Sequence, residues 1–137
     1  MALKTYRDLE VWQRAMDLTE AAYRFGTLFP KDERFGLLSQ LQRSAVSVPA
    51  NIAEGYGRTH RGDYLHHLSI ARGSLAELET HIALAVRLGY ATREDALAPW
   101  NFSQDVGRML NKLLKSLEKA PRNPEPGSRT PKRLGSN

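Results

Sequence analysis

The chain has 137 residues, 41% of them hydrophobic and 26% charged, the balance of one globular domain long enough to bury a sizeable core. It contains no cysteine, which excludes disulfide scaffolds, thiolate metal sites and cysteine nucleophiles. The net charge is +5: residues 1–120 hold 16 basic and 14 acidic side chains, and residues 121–137 hold Arg122, Arg129, Lys132 and Arg133 against Glu125 alone. That last segment also carries four of the seven prolines and a single large apolar residue, Leu134. It cannot bury enough to offset its ordering entropy, so residues 121–137 are predicted to be a disordered basic tail. The longest stretch without a charged residue, residues 44–53, is ten long, against about 18 for a membrane span. Lys4, Arg7, Asp8 and Glu10 leave no apolar core for a signal peptide, so a cytoplasmic location is expected.

The first predicted helix covers residues 8–28. Leu9, Trp12, Met16, Thr19 and Tyr23 recur at spacings of three and four, with Ala15 and Ala22 widening the face. Phe29, Pro30, Lys31 and Asp32 break the chain, and Asp32 is placed to cap the next helix. The second helix is predicted over residues 33–56, with Leu38, Leu41, Ala45, Val48 and Ile52 as its apolar stripe and a kink at Pro49. The third, residues 61–88, carries an uninterrupted heptad-type seam of Tyr64, Leu68, Ala71, Leu75, Leu78, Ile82 and Ala85. Gly89 suits the left-handed cap that would end it. The fourth starts either from a Thr92–Asp95 capping pair or with Pro99 in its first turn. Its seam is Val106, Leu110, Leu113 and Leu117, and Pro121 stops it.

Four amphipathic helices with short connections predict an all-α, up-down-up-down bundle over residues 1–120. A turn centred near Arg58 and Thr59 sets the register of the second and third helices. It places Val48 against Ala71 or Leu68 and Ile52 against Leu65 or Tyr64. It also pairs Arg43 with Glu77 in an ion pair and brings Asn51 close to His67.

Chemistry-bearing constellations are few. No glutamate stands three residues before any of His60, His66, His67 or His81, so the Glu-x-x-His ligand set of bundle metal sites is missing. No metal, cofactor or catalytic residue is assigned, and an enzyme is not expected. The glycine-rich loop 55–62 offers Arg58 and Arg61 to an anion, or else Gly55 and Gly57 end the helix and the arginines are solvated. Arg108, Lys112, Lys115 and Lys119 step by four, three and four along one face of the fourth helix. They read as a phosphate track that Arg122 would extend, or as cations complementing a helix C-terminus. On the second helix Gln40, Ser44, Ser47, Asn51 and Glu54 form a polar stripe with little charge. Ser44, Ser47 and Asn51 then suit either a close subunit interface or plain exposure.

Three segments, YRDLEVW (6–12), GLLSQLQRSAVSVPANIAEG (36–55) and IARGSLAELE (70–79), resemble the 23S rRNA intervening-sequence protein family in order and spacing. The resemblance covers residues 6–118. It implies a left-handed four-helix bundle assembled as a homopentamer. A similar accessory protein of diversity-generating retroelements contacts a reverse transcriptase and nucleic acid, so the resemblance extends to such partners. It supplies no catalytic residues. Two functions are therefore expected as alternatives: an oligomeric accessory protein holding RNA or DNA phosphates without sequence readout, or a protein–protein scaffold that never touches nucleic acid.

Overall fold

A computed structural model describes residues 4–119; the basic tail, Arg122 included, lies outside the described residues. Four helices form a bundle: α1 (Glu10–Gly26), α2 (Leu37–Tyr56), α3 (Arg61–Arg87) and α4 (Leu97–Lys119). There is no strand among the described residues. None of these helices is long and apolar enough to cross a membrane.

A short 3-10 turn, Tyr6–Asp8, leads into α1. The Asp8 carboxylate accepts from the Thr5 amide and the Thr5 hydroxyl accepts from the Arg7 amide. This reciprocal cap delivers the Tyr6 ring edge-on to Trp12. The buried face of α1 is Val11, Ala15, Leu18, Ala22 and Phe25. The expected stripe through Met16 and Tyr23 is thus rotated by one residue; these two side chains are 45% and 42% exposed. Both sets follow the same spacing of four and three. Packing favours the set containing two alanines, which lets α1 lie close to α2.

Asp32 does not cap α2. A 3-10 turn, Lys31–Glu33, intervenes, and the helix starts at Leu37. Glu33 reaches forward instead: Oε1 accepts from the Leu37 amide (2.8 Å) and Oε2 from the Tyr90 hydroxyl (2.6 Å). The Tyr90 hydrogen bond, then the Leu37 amide, holds this carboxyl below the ordinary glutamate range. Tyr90 arrives there because α3 ends as the glycine predicts. Gly89 has φ +78°, its amide donates to Val86 O, and the Tyr90 amide donates back to Ala85 O. The start of α4 combines both expectations. Thr92 and Asp95 cap each other reciprocally, and the turn they open runs into Leu97 with Pro99 in the first helical turn.

Leu41, Ala45, Val48 and Ile52 of α2 and Leu68, Ala71, Leu78, Ile82 and Ala85 of α3 are buried as the seams predict. Leu75, Val106 and Leu110 complete the centre of the core. Asn51 Oδ1 accepts from His67 Nδ1 at 3.1 Å, as the register predicts. Arg43 and Glu77 form no ion pair. Ser44, the neighbour of Arg43 on the buried side of α2, meets His81, one turn beyond Glu77. Both charged groups point to solvent. Gly55 lies inside α2 instead of ending it. A Cβ there would stand 2.9 Å from His67 Cβ, so its absence permits the close approach of α2 and α3.

Helix α2 passes through Pro49 without a break. Proline supplies no amide to the carbonyl four residues back, here Ala45 O. The Thr19 hydroxyl of α1 lies 3.0 Å from that oxygen, and 2.9 Å from its own helix's Ala15 O. One helix thus completes the hydrogen bonding of another in a region where Ala45 is wholly buried. Thr19→Val keeps the shape and removes the donor, and should cost about 1–3 kcal/mol. Pro49→Ala restores an amide for Ala45 O, so the same Thr19→Val change should cost measurably less in that background. Urea unfolding of the two single variants and the double variant checks the cycle, and equal costs in both backgrounds would refute the assignment.

Candidate nucleic-acid interface

The cations of α4 are brought to one face by helical periodicity, and their surroundings divide them. Arg108 is bonded to Asp105, a carboxylate that also accepts from Arg14 Nη1 at 2.9 Å, so two guanidiniums share one negative charge and Arg108, 72% exposed, is only partly neutralised. Lys112, Lys115 and Lys119 are exposed and make no ion pair among the described residues. The stripe therefore presents three unpaired ammonium groups and one partly neutralised guanidinium.

Hydrogen bonds from Arg72 to Asn111 (3.1 Å) and from Gln104 to Glu79 (3.1 Å) set α3 beside α4. Their residue numbers run in opposite senses, so the beginning of α3 lies beside the end of α4. This brings the loop cations to the same end of the bundle as the lysine stripe. Arg58 is held by Glu54 at 2.6 Å, which partly neutralises it. Arg61 opens α3, half-buried. Arg72 was not singled out in the sequence, yet it stands across from the stripe with a neutral amide as its partner. The signal available for it is its position eleven residues after Arg61, three helical turns along one face. The opposite end of the bundle differs. Lys31, Arg34, Arg87 and Arg93 are balanced there by Asp32, Glu33, Glu94 and Asp95. Its loops also expose Leu28, Leu88 and Phe35, the last 86% exposed with the Arg34 guanidinium over its ring.

Ser44, Ser47 and Asn51, expected at a subunit interface or in solvent, are occupied inside the chain. Ser44 is buried and its hydroxyl meets His81 Nδ1 at 3.2 Å. Ser47 and Ser74 share a 2.7 Å hydrogen bond, and Asn51 Nδ2 donates to Ser47 while its oxygen accepts from His67. The stripe is small because α3 packs on it. Burial lowers the His81 pKa while Glu77 opposes the shift, so the imidazole against Ser44 is the neutral form near pH 7. Among the described residues no group of three or more histidines and carboxylates gathers to hold a metal.

The sequence model described as 23S rRNA-intervening sequence protein matches residues 7–112. The chain belongs to that family. A structural relative is a protein of unknown function from the S23 ribosomal protein family of Bacteroides thetaiotaomicron. It shares 28% identity and a TM-score of 0.69, with 77% of this chain and 98% of the other covered. None of the curated proteins matches significantly. The family match takes in all of α1, α2 and α3 and closes at Lys112, so Lys115 and Lys119 lie just beyond the matched segment. The Ser47–Asn51–His67 network lies well within it.

That network makes a distinguishing forecast. Asn51→Leu should lower stability by about 0.5–1.5 kcal/mol per lost hydrogen bond. The loss should not vary with protein concentration, because the partners belong to the same chain. Denaturant midpoints measured over a wide range of concentration test this, and a loss that grows on dilution would return Asn51 to a subunit contact.

Proposed function

We propose that this family member is a non-enzymatic accessory protein that holds RNA or DNA phosphates on the outer face of α4 without reading sequence. The observation that carries the reading is the availability of Lys112, Lys115 and Lys119: three exposed ammonium groups on one helical face, none in an ion pair, with Arg72 beside them. Cations so spaced follow a backbone, and such contacts position a nucleic acid without specifying it. Arg61 and Arg58 stand at the same end, and Arg108, which shares Asp105 with Arg14, adds a partly neutralised cation to the stripe; Arg122, outside the described residues, is assigned to phosphates from the sequence alone. In this reading the bundle is up-down-up-down and left-handed, acts in the cytoplasm and assembles as a homopentamer. The pentamer and a reverse-transcriptase partner rest on family resemblance; the hydrogen bonds of Ser44, Ser47 and Asn51 within the chain account for their small polar character without requiring a subunit contact. A ring would multiply the field of the lysine faces. A protein–protein scaffold is the competing reading, and the exposed Leu28, Phe35 and Leu88 favour it.

The deciding experiment is a salt titration of affinity for RNA and DNA of unrelated sequences. The proteins compared are the full chain, a Lys112→Glu/Lys115→Glu variant and a chain ending at Ala120. Each neutralised phosphate adds about 0.7–0.9 to the log–log slope, so the full chain should show a slope of about 2 or more. The double variant should weaken all sequences alike. Absence of binding near about 50 mM salt, where counterion release strongly favours association, leaves the scaffold reading. Binding that survives the double variant and disappears on truncation assigns the contact to the tail. Light scattering of the same samples should give a mass about five times 15.4 kDa, and a monomer at tens of micromolar removes the pentamer.

A further inference from the structure

Between α3 and the second half of α4 lies a hollow of about 270 Å³ with Leu65 and Leu114 among its walls. Ser69 and Arg72 line it from α3; Asn111, Lys115 and Glu118 line it from α4. Two cations from different helices therefore converge on one space that could hold several waters.

Their circumstances differ from those of the other surface cations. Arg72 Nη1 donates to Asn111 Oδ1, so the guanidinium is oriented by a neutral group and its charge is uncancelled. The rest of its planar donor fork remains available. The same bond occupies the Asn111 carbonyl oxygen and leaves the Asn111 amide hydrogens as donors. Among the described residues the Ser69 hydroxyl makes no hydrogen bond, and Lys115 no ion pair. The hollow thus gathers unspent donors and positive charge beside apolar walls, which strengthen electrostatic attraction by displacing water. One group opposes: the Glu118 carboxylate repels an anion.

We propose that this hollow seats a single phosphate group, gripped by Arg72 from α3 and Lys115 from α4, with Asn111 and Ser69 as neutral donors. The proposal takes the source of the phosphate, a nucleic-acid backbone, from the function proposed above; the seat itself follows from the donors. Lys112 and Lys119 attract the polyanion as mobile point charges, whereas the Arg72 pair fixes where along the track one phosphate stops. Arg72 is already held by Asn111, so less ordering is required on binding.

The opposed charges supply a test of sign. With the full-length protein and a labelled mixed-sequence RNA, Arg72→Gln should weaken affinity about tenfold and lower the log–log salt slope by about 0.7–0.9. Arg72→Lys, which keeps the charge and loses the fork, should fall between. Glu118→Gln should tighten binding. Arg43→Gln removes one charge from an exposed site on α2 and should change affinity far less than Arg72→Gln. All three positions are at the surface, and thermal unfolding verifies that the four variants remain folded. Separately, inorganic phosphate should shift the side-chain amide resonances of Asn111 in wild type and not in Arg72→Gln.

Equal effects of Arg72→Gln and Arg43→Gln would overturn the seat while leaving the lysine stripe as a diffuse nucleic-acid surface. A Glu118→Gln variant that fails to bind more tightly would also overturn it. If wild type ignores RNA, yet phosphate shifts Asn111 in an Arg72-dependent way, the seat stands and the nucleic-acid reading fails. If neither ligand binds, both fail.

Discussion

Pro49 leaves the carbonyl of Ala45 without an amide where Ala45 is wholly buried, and the arrangement of α1 follows from how that oxygen is satisfied. Thr19 can reach it only if the two helices lie close, and Ala15, Ala22 and Ala45 make that approach possible. Once α1 is so placed, Leu18 and Phe25 enter the core and Met16 and Tyr23 remain outside. Arg14 is then positioned to meet Asp105 of α4 at 2.9 Å. Asp105 is thereby shared between Arg14 and Arg108, so the same constraint sets how far Arg108 of the stripe is neutralised. A hydrogen bond deep in one helix pair thus bears on which surface charges are available on another helix.

The parts legible from sequence are those decided within one helix. The seam of α3 needs only its own spacing of four and three, and Gly89 needs only a backbone conformation closed to other residues. Asn51 and His67 are close because they lie within a few turns of the connection that sets their register. The parts that escape depend on neighbours. On α1 two overlapping stripes satisfy the same periodicity, and the choice between them is made by α2. Arg43 and Glu77 lie farther from the turn, and both fall on exposed faces of their helices, where no ion pair forms between them. The small polar face of α2 reads as unpartnered until α3 is laid upon it, and Asn51 and Ser47 then find their partners inside the chain.

The candidate site divides in the same way. The alignment of Lys112, Lys115 and Lys119 follows from periodicity and was visible at once. Which cations stay available is a tertiary matter: Arg108 and Glu54-bound Arg58 look equivalent to the lysines in sequence and are not. Arg72 was hidden for a related reason, since its significance comes from Asn111, 39 residues away on the adjacent helix. Sequence periodicity displays where charge lies along a helix; only the assembled bundle shows which charge has already been answered.

The two ends of the bundle also differ in a way that bears on motion in solution. At one end Lys31, Arg34, Arg87 and Arg93 offset Asp32, Glu33, Glu94 and Asp95; at the other Lys112, Lys115, Lys119, Arg58, Arg61 and Arg72 outnumber Glu54, Asp63 and Glu118. Such a body carries an electric moment along its long axis as well as a net charge. In the field of a polyanion it experiences a torque before any contact forms, turning the lysine end forward and the Leu28–Phe35 end away. Productive collisions then become more frequent than chance orientation allows, at low ionic strength above all, since the field extends only about 10 Å at 0.1 M salt. The lopsided placement of a few charges would therefore govern the rate of encounter and leave the apolar end facing outward, open to a second partner.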